Sequence, residues 1–132
     1  MASEKYPNCP FCLENERVTI IKKTRRGYLV AALDPEGSIM PGCYLIIPTL
    51  HVRSIFELNI SWFATFMILL LAVPGIHDIA FNINLNSGKA AGQRCEHLHF
   101  WVILRDEPET SPTYSLGLAN IIRLFTKPRK NP

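Results

Sequence analysis

This chain has no long hydrophobic run, no strong charge of one sign, few cysteines and no repeated or low-complexity segment. Each deficit excludes something. The longest apolar run, residues 62–73, falls short of the ~20 residues that a membrane helix requires. Residues 1–6 hold no apolar signal-peptide core, so the expected location is a reducing cytoplasm. Four cysteines form an even set, yet a disulfide framework would need an oxidising compartment. A net charge of +3 is too mild for a nucleic-acid footprint. The basic cluster at 22–26 reads as a solvated hairpin tip, and the tail at 127–132 as frayed. With 48% apolar and 19% charged residues, disorder is excluded. A chain of 132 residues can bury one real core without disulfide staples, so one domain spanning 1–132 is expected.

What is present concentrates in two motifs. Gly92-Gln93-Arg94-Cys95-Glu96-His97-Leu98-His99-Phe100-Trp101-Val102-Ile103 carries two histidines two residues apart in an aromatic and aliphatic run. In a strand, alternate side chains share a face, so His97, His99 and Trp101 should line one side, with Leu98, Phe100 and Val102 in the core. Imidazoles ~6.5–7 Å apart at strand rise are poorly placed to chelate one metal but well placed for two adjacent tasks. The plain alternative is a strand whose polar face happens to carry two histidines.

Cys9-Pro10-Phe11-Cys12 is the second motif. A C-x-x-C pair chelates zinc through two thiolates or forms a redox dithiol. A thioredoxin-like dithiol should follow a strand in a βαβ pattern, and nothing strand-like precedes Cys9, so zinc is the better reading if two further ligands exist.

Pattern and punctuation order the elements. Strands are expected at 18–22 and 28–33 around a turn at Arg25-Arg26-Gly27, followed by a loop at 34–38. A third strand at 44–47 should stop at Pro48. Ser54-Ile55-Phe56-Glu57 matches a capping box, and Asn59 or Ser61 should cap a helix ending before Pro74-Gly75. Residues 78–85 and 96–104 complete the set. The sum is an α+β domain with a mostly antiparallel five-stranded sheet and one main helix. That helix, 60–73, is apolar nearly all round and must be covered on more than one side, which points to a second subunit and a homodimer.

Taken together, these pieces resemble the histidine-triad superfamily of nucleotide hydrolases and nucleotidyl transferases. The resemblance runs over a core of about 9–105, leaving 106–132 as a C-terminal extension. Pro41-Gly42-Cys43-Tyr44-Leu45-Ile46-Ile47-Pro48-Thr49-Leu50-His51 looks like the family's strand ending in a proline and a further histidine. Asn86-Ser87-Gly88-Lys89-Ala90-Ala91-Gly92-Gln93 looks like its asparagine-to-glycine-glutamine loop. His97-Leu98-His99-Phe100-Trp101 stands where the family carries His-x-His-x-His. The early C-x-x-C resembles the zinc-containing branch, and the resemblance implies one structural zinc per chain on Cys9, Cys12, His51 and His97. Two thiolates and two imidazoles fill a tetrahedral shell and leave no open position for catalysis.

The resemblance further implies that His99 attacks the α-phosphorus of a nucleotide and becomes a covalent nucleotidyl-histidine. Imidazole suits this task, being largely neutral near pH 7 and nucleophilic without an activating base. Asn86, Gly92 and Gln93 match phosphate-contacting positions. Arg94 either adds a cation to the phosphate or points to solvent. Asp34 matches a ribose-gripping acid, or simply forms its turn. Trp101 replaces the third histidine, exchanging an imidazole for an indole that donates but does not accept. Cys43 stands where relatives often have histidine, a packing change, and Thr49 where they often have lysine. Two functions follow: a zinc-stabilised nucleotide hydrolase or nucleotidyl transferase, and a non-catalytic nucleotide-binding or interaction protein that keeps the fold and zinc.

Overall fold

The computed structural model describes residues 9–12 and 20–111. The start of the expected first strand and the extension beyond 111 lie outside the described residues. Five strands, β1 (Ile20–Lys23), β2 (Gly27–Leu33), β3 (Ile39–Pro48), β4 (Ala80–Leu85) and β5 (Phe100–Arg105), form one antiparallel sheet in the order β1-β2-β3-β5-β4. Helix α1 (Trp62–Leu71) lies across one face, as expected for an α+β domain.

Side-chain alternation divides the core in two. Leu29, Ile46, Leu98, Phe100 and Val102 face the helix and pack with Trp62, Phe66, Leu69 and Leu70. Tyr28, Val30, Leu45, Ile47 and Ile103 face the other way, with Phe11 and Trp101 packed against them. Gly27 permits the helix to approach the sheet. A Cβ there would meet Leu69 Cδ1 and the Ile47 carbonyl, each at 3.1 Å.

Strand bounds shift from those read in the sequence, most of all at the starts of β3 and β5, whereas β4 starts at Ala80 rather than 78. β3 starts at Ile39, earlier than expected, because Pro41 and Gly42 lie before the stretch that pairs with β5, which begins at Cys43↔Ile103. An unpaired flank accommodates proline. β5 starts at Phe100 rather than 96. Its register, Ile46↔Phe100, would set Leu98 opposite Pro48, which has no N–H to continue a ladder. Instead Leu98 N–H donates to the Val52 carbonyl at 2.7 Å. The two-residue alternation nevertheless persists through 97–99.

The Ser54–Glu57 capping box forms as expected and starts a short 3₁₀ turn, Ile55–Glu57. At the head of α1, Asn59 Oδ1 accepts from Ser61 N–H at 3.0 Å, whereas the Ser61 hydroxyl accepts from Arg26 at 3.0 Å. One face of α1 is buried, while Met67, Ile68 and Leu71 are exposed. Among the described residues no helix is long and apolar enough to cross a membrane.

Candidate metal centre and active site

The irregular segment around 97–99 carries its side chains to two different places. His97 is completely buried and meets Cys9, Cys12 and His51, whose donor atoms all lie within 4.8 Å of one another. The His97 Nδ1 stands 3.5 Å from Cys9 Sγ and 3.4 Å from Cys12 Sγ, and His51 Nδ1 stands 3.0 Å from Cys12 Sγ. Around tetrahedral zinc, with Zn–S ~2.3 Å and Zn–N ~2.05 Å, a sulfur–nitrogen edge measures ~3.6 Å. Both sulfur contacts of His97 thus stand close to the spacing the metal would impose, and the Cys12–His51 contact, at 3.0 Å, is shorter than it.

The His97 tautomer fits as well. His97 Nε2–H donates to the Pro48 carbonyl at 2.6 Å, which leaves the Nδ1 lone pair facing the thiols. Burial pushes the His97 pKa down to about 4, so the ring is neutral near pH 7, as a ligand must be. The His51 pKa is also lowered, by burial first and by the Arg53 cation second. The residues present fit zinc, and all four come from the set expected from the sequence.

Two residues on, His99 points into a separate cavity of about 230 Å³. Asp34, Asn86, Gly92, Arg94 and Trp101 share its walls. His99 Nδ1–H donates to the His97 carbonyl at 2.9 Å, an acceptor that can only receive, so the lone pair resides on Nε2. Burial lowers the His99 pKa, and the bond to the His97 carbonyl partly opposes that. The imidazole is therefore neutral near pH 7.

Several of these groups also have local duties. Asp34 Oδ1 accepts from Glu36 N–H at 2.8 Å and Ser38 N–H at 2.9 Å, closing an Asx turn. Asn86 Oδ1 accepts from Asn84 at 2.7 Å. Gly92, at φ +95°, packs against the Asn86 amide, and a Cβ there would stand 3.4 Å from Asn86 Nδ2. Gln93 sits apart from the His99 cavity. Its Oε1 accepts from Gly88 N–H at 2.8 Å, and its Nε2 lies within 3.2 Å of the Arg53, Cys95 and Glu96 carbonyls. Arg94 is exposed and lines both the His99 cavity and a larger one, about 470 Å³, beside Cys9, His51 and His97.

Cys43 is buried in the sheet face away from the helix, and burial raises its pKa to about 11, as suits a packing residue. Cys95, half-buried, borders the larger cavity with Cys9. No disulfide joins the described cysteines.

Phe11 was not singled out from the sequence. Its ring lies 5.2 Å from the His99 ring and 5.9 Å from that of His97, and Tyr28 OH donates to its carbonyl at 2.5 Å. An aromatic residue inside the C-x-x-C was the available signal, because any metal binding both cysteines must hold that side chain beside the other ligands.

No protein-family model and no curated protein sequence matches the chain. Solved structures do. A zinc-bound histidine triad family protein from Mycobacterium smegmatis is 22% identical, with 78% of each chain covered and a TM-score of 0.63. A HIT family hydrolase from Clostridium thermocellum is 27% identical over 81% of this chain and 96% of its own, at a TM-score of 0.61. A hypothetical histidine triad nucleotide-binding protein from Sulfolobus tokodaii is 24% identical over 76% of this chain and 71% of its own, at 0.63. The chain resembles histidine-triad proteins and has their fold.

Proposed function

We propose that this protein is a nucleotide hydrolase or nucleotidyl transferase whose nucleophile is His99. The observation that carries this reading is the commitment of His99 Nδ1 to the His97 carbonyl, which leaves Nε2 as the free nucleophile on a cavity wall shared with Asn86, Gly92 and Arg94. In the first step Nε2 forms a bond to the α-phosphorus, and the leaving group departs with the electrons of its P–O or P–N bond. Positive charge then develops on the ring, and the Nδ1–H bond to the carbonyl strengthens with it. In the second step water (hydrolysis) or another phosphate (transfer) attacks the same phosphorus and returns the imidazole. Donors placed before reaction stabilise charge on the phosphoryl oxygens, the role proposed for the Asn86 amide, the Gly92 region and Arg94. Asp34 borders the same cavity as the proposed ribose contact. Gln93 is proposed to act on substrate through the loop that its amide holds in shape.

One zinc per chain on Cys9, Cys12, His51 and His97 would contribute folding energy and tie the N-terminal turn to the sheet. Support for a homodimer comes from β4 at the sheet edge, with Phe81 and Ile83 exposed, and from Met67, Ile68 and Leu71 on α1. The reading treats 9–105 as the core of one domain with 106–132 as its extension, and a reducing cytoplasm as its location.

A second reading rests on Trp101. Its indole occupies the cavity wall beside His99, with ring centroids 6.3 Å apart, and supplies no proton acceptor there. A non-catalytic nucleotide-binding or interaction protein would tolerate that change. Mass spectrometry of protein quenched with a panel of nucleotides separates the two: a nucleotidyl adduct on His99 is expected from the enzyme, and binding with neither adduct nor turnover from the alternative.

A further inference from the structure

We infer that Phe11 is a positioning residue that couples the metal cluster to the orientation of the His99 imidazole. The inference rests on the proposed role of His99 as nucleophile, and its premises are geometric. Phe11 lies between Cys9 and Cys12, so its backbone goes where their sulfurs are held. Those sulfurs converge on the Nδ1 atoms of His97 and His51. A third tether acts at Phe11 itself, whose carbonyl accepts from the buried Tyr28 hydroxyl.

The ring held in this way spans both histidines. It meets His97 edge-on at an interplanar angle of 86° and leans on His99 at 58°. Trp101 leans on His99 at 60°. The His99 imidazole is therefore bounded by Phe11 and Trp101 and held at Nδ1 by the carbonyl of His97, itself a ligand residue. The hydrogen bond selects which nitrogen is free, and the two aromatic walls restrict where that nitrogen points. A nucleophile displaced by about 1 Å loses rate by roughly 10²-fold, so a wall that sets its direction contributes to chemistry without touching the reacting atoms. A metal site with no open coordination position thereby acts on the reaction through packing.

The test reads ring orientation apart from activity. Protein labelled in its histidine rings is examined by two-dimensional NMR, with the His99 resonances assigned from the spectrum of the His99→Asn variant. In the zinc-loaded protein the Phe11 ring current should displace the His99 ring protons. Phe11→Leu, which retains apolar bulk, should remove that displacement at full zinc content, and Phe11→Tyr should restore it. Chelating the zinc should move the His99 resonances more in wild type than in Phe11→Leu. The rate of nucleotidyl-adduct formation should fall by about 10-fold or more in Phe11→Leu, with nucleotide affinity unchanged and recovery in Phe11→Tyr. His99 resonances identical in wild type and Phe11→Leu, or a chelation shift of equal size in both, would overturn the inference. If Phe11→Leu loses zinc, the comparison of wild type with Phe11→Tyr before and after chelation decides it, because both must then show the same zinc-dependent displacement. Absence of an adduct with every nucleotide refutes His99 as nucleophile, whereas the spectra still decide whether the metal positions the ring.

Discussion

Pro48 serves His97 twice. Lacking an N–H, it stands opposite Leu98 where the ladder between β3 and β5 ends, and its carbonyl accepts from His97 Nε2–H at 2.6 Å. The same residue thus frees the 97–99 segment from regular pairing and aims the Nδ1 lone pair of His97 at the thiols. A candidate metal ligand gains its direction from a proline that formed no part of the donor set.

Metal analysis of protein purified without chelator should give about one zinc per chain. Cys9→Ser and Cys12→Ser should release the metal and lower the melting temperature, because binding to a site absent in the unfolded chain adds directly to folding stability. An intact Cys9–Cys12 disulfide in such protein would contradict this assignment.

Acid should weaken the metal-free protein in a defined window. The folded-state pKa of His97, about 4, lies below the unfolded value of about 6.5. Folding therefore favours the neutral ring. Its contribution is fully present above the unfolded pKa and is lost as pH falls from there through the folded pKa. Urea unfolding of metal-free protein from pH 7 to 4 should show declining stability, which His97→Gln should flatten. Zinc-loaded protein should release its metal on acidification, since protons compete for the same nitrogen.

His99→Asn should leave zinc content and nucleotide affinity near wild type while lowering turnover by about 10³-fold or more, as loss of a covalent nucleophile does. Quenched samples should carry no nucleotidyl adduct. A variant that turns over normally would dismiss His99 from the reaction.

Trp101→His should equal or exceed wild-type turnover, because imidazole restores a group able to carry a proton to the leaving atom. Steady-state rates on one substrate measure this directly. A large fall would assign the indole a positive role in binding.

Light scattering at micromolar concentration should report twice the 15.0 kDa chain mass. Ile83→Lys on the edge strand should shift the particle toward monomer, since a charge on an exposed edge opposes strand pairing between chains. A wild-type monomer under these conditions rejects the dimer.

Much of the fold was legible because its signals are local. The capping box at Ser54–Glu57 is a four-residue hydrogen-bonding unit, and it forms as read. The alternation from Leu98 to Val102 holds even where regular pairing is absent, since side-chain direction in extended backbone depends only on neighbouring dihedral angles. Strand ends were less legible. Pairing at Pro41 and Leu98 depends on what the neighbouring strand offers opposite them, and that partner lies far away in the chain.

The candidate site divides along the same line. Residue order by itself determined the chemistry on offer: two thiols in one turn, two imidazoles on one side of one extended segment, and a bulky indole beside them. Tertiary structure alone decided the distances. Cys9 meets His97 across 88 residues, at 3.5 Å, only because the sheet register brings β3 and β5 together beneath the turn. It also decided that the Gln93 amide turns inward to hold its loop, while Arg94 borders two cavities. Phe11 drew no notice in the sequence because an apolar side chain declares its role only through what it touches. Donor type is a property of a residue, whereas coordination and orientation are properties of an arrangement that long-range pairing and packing must first create.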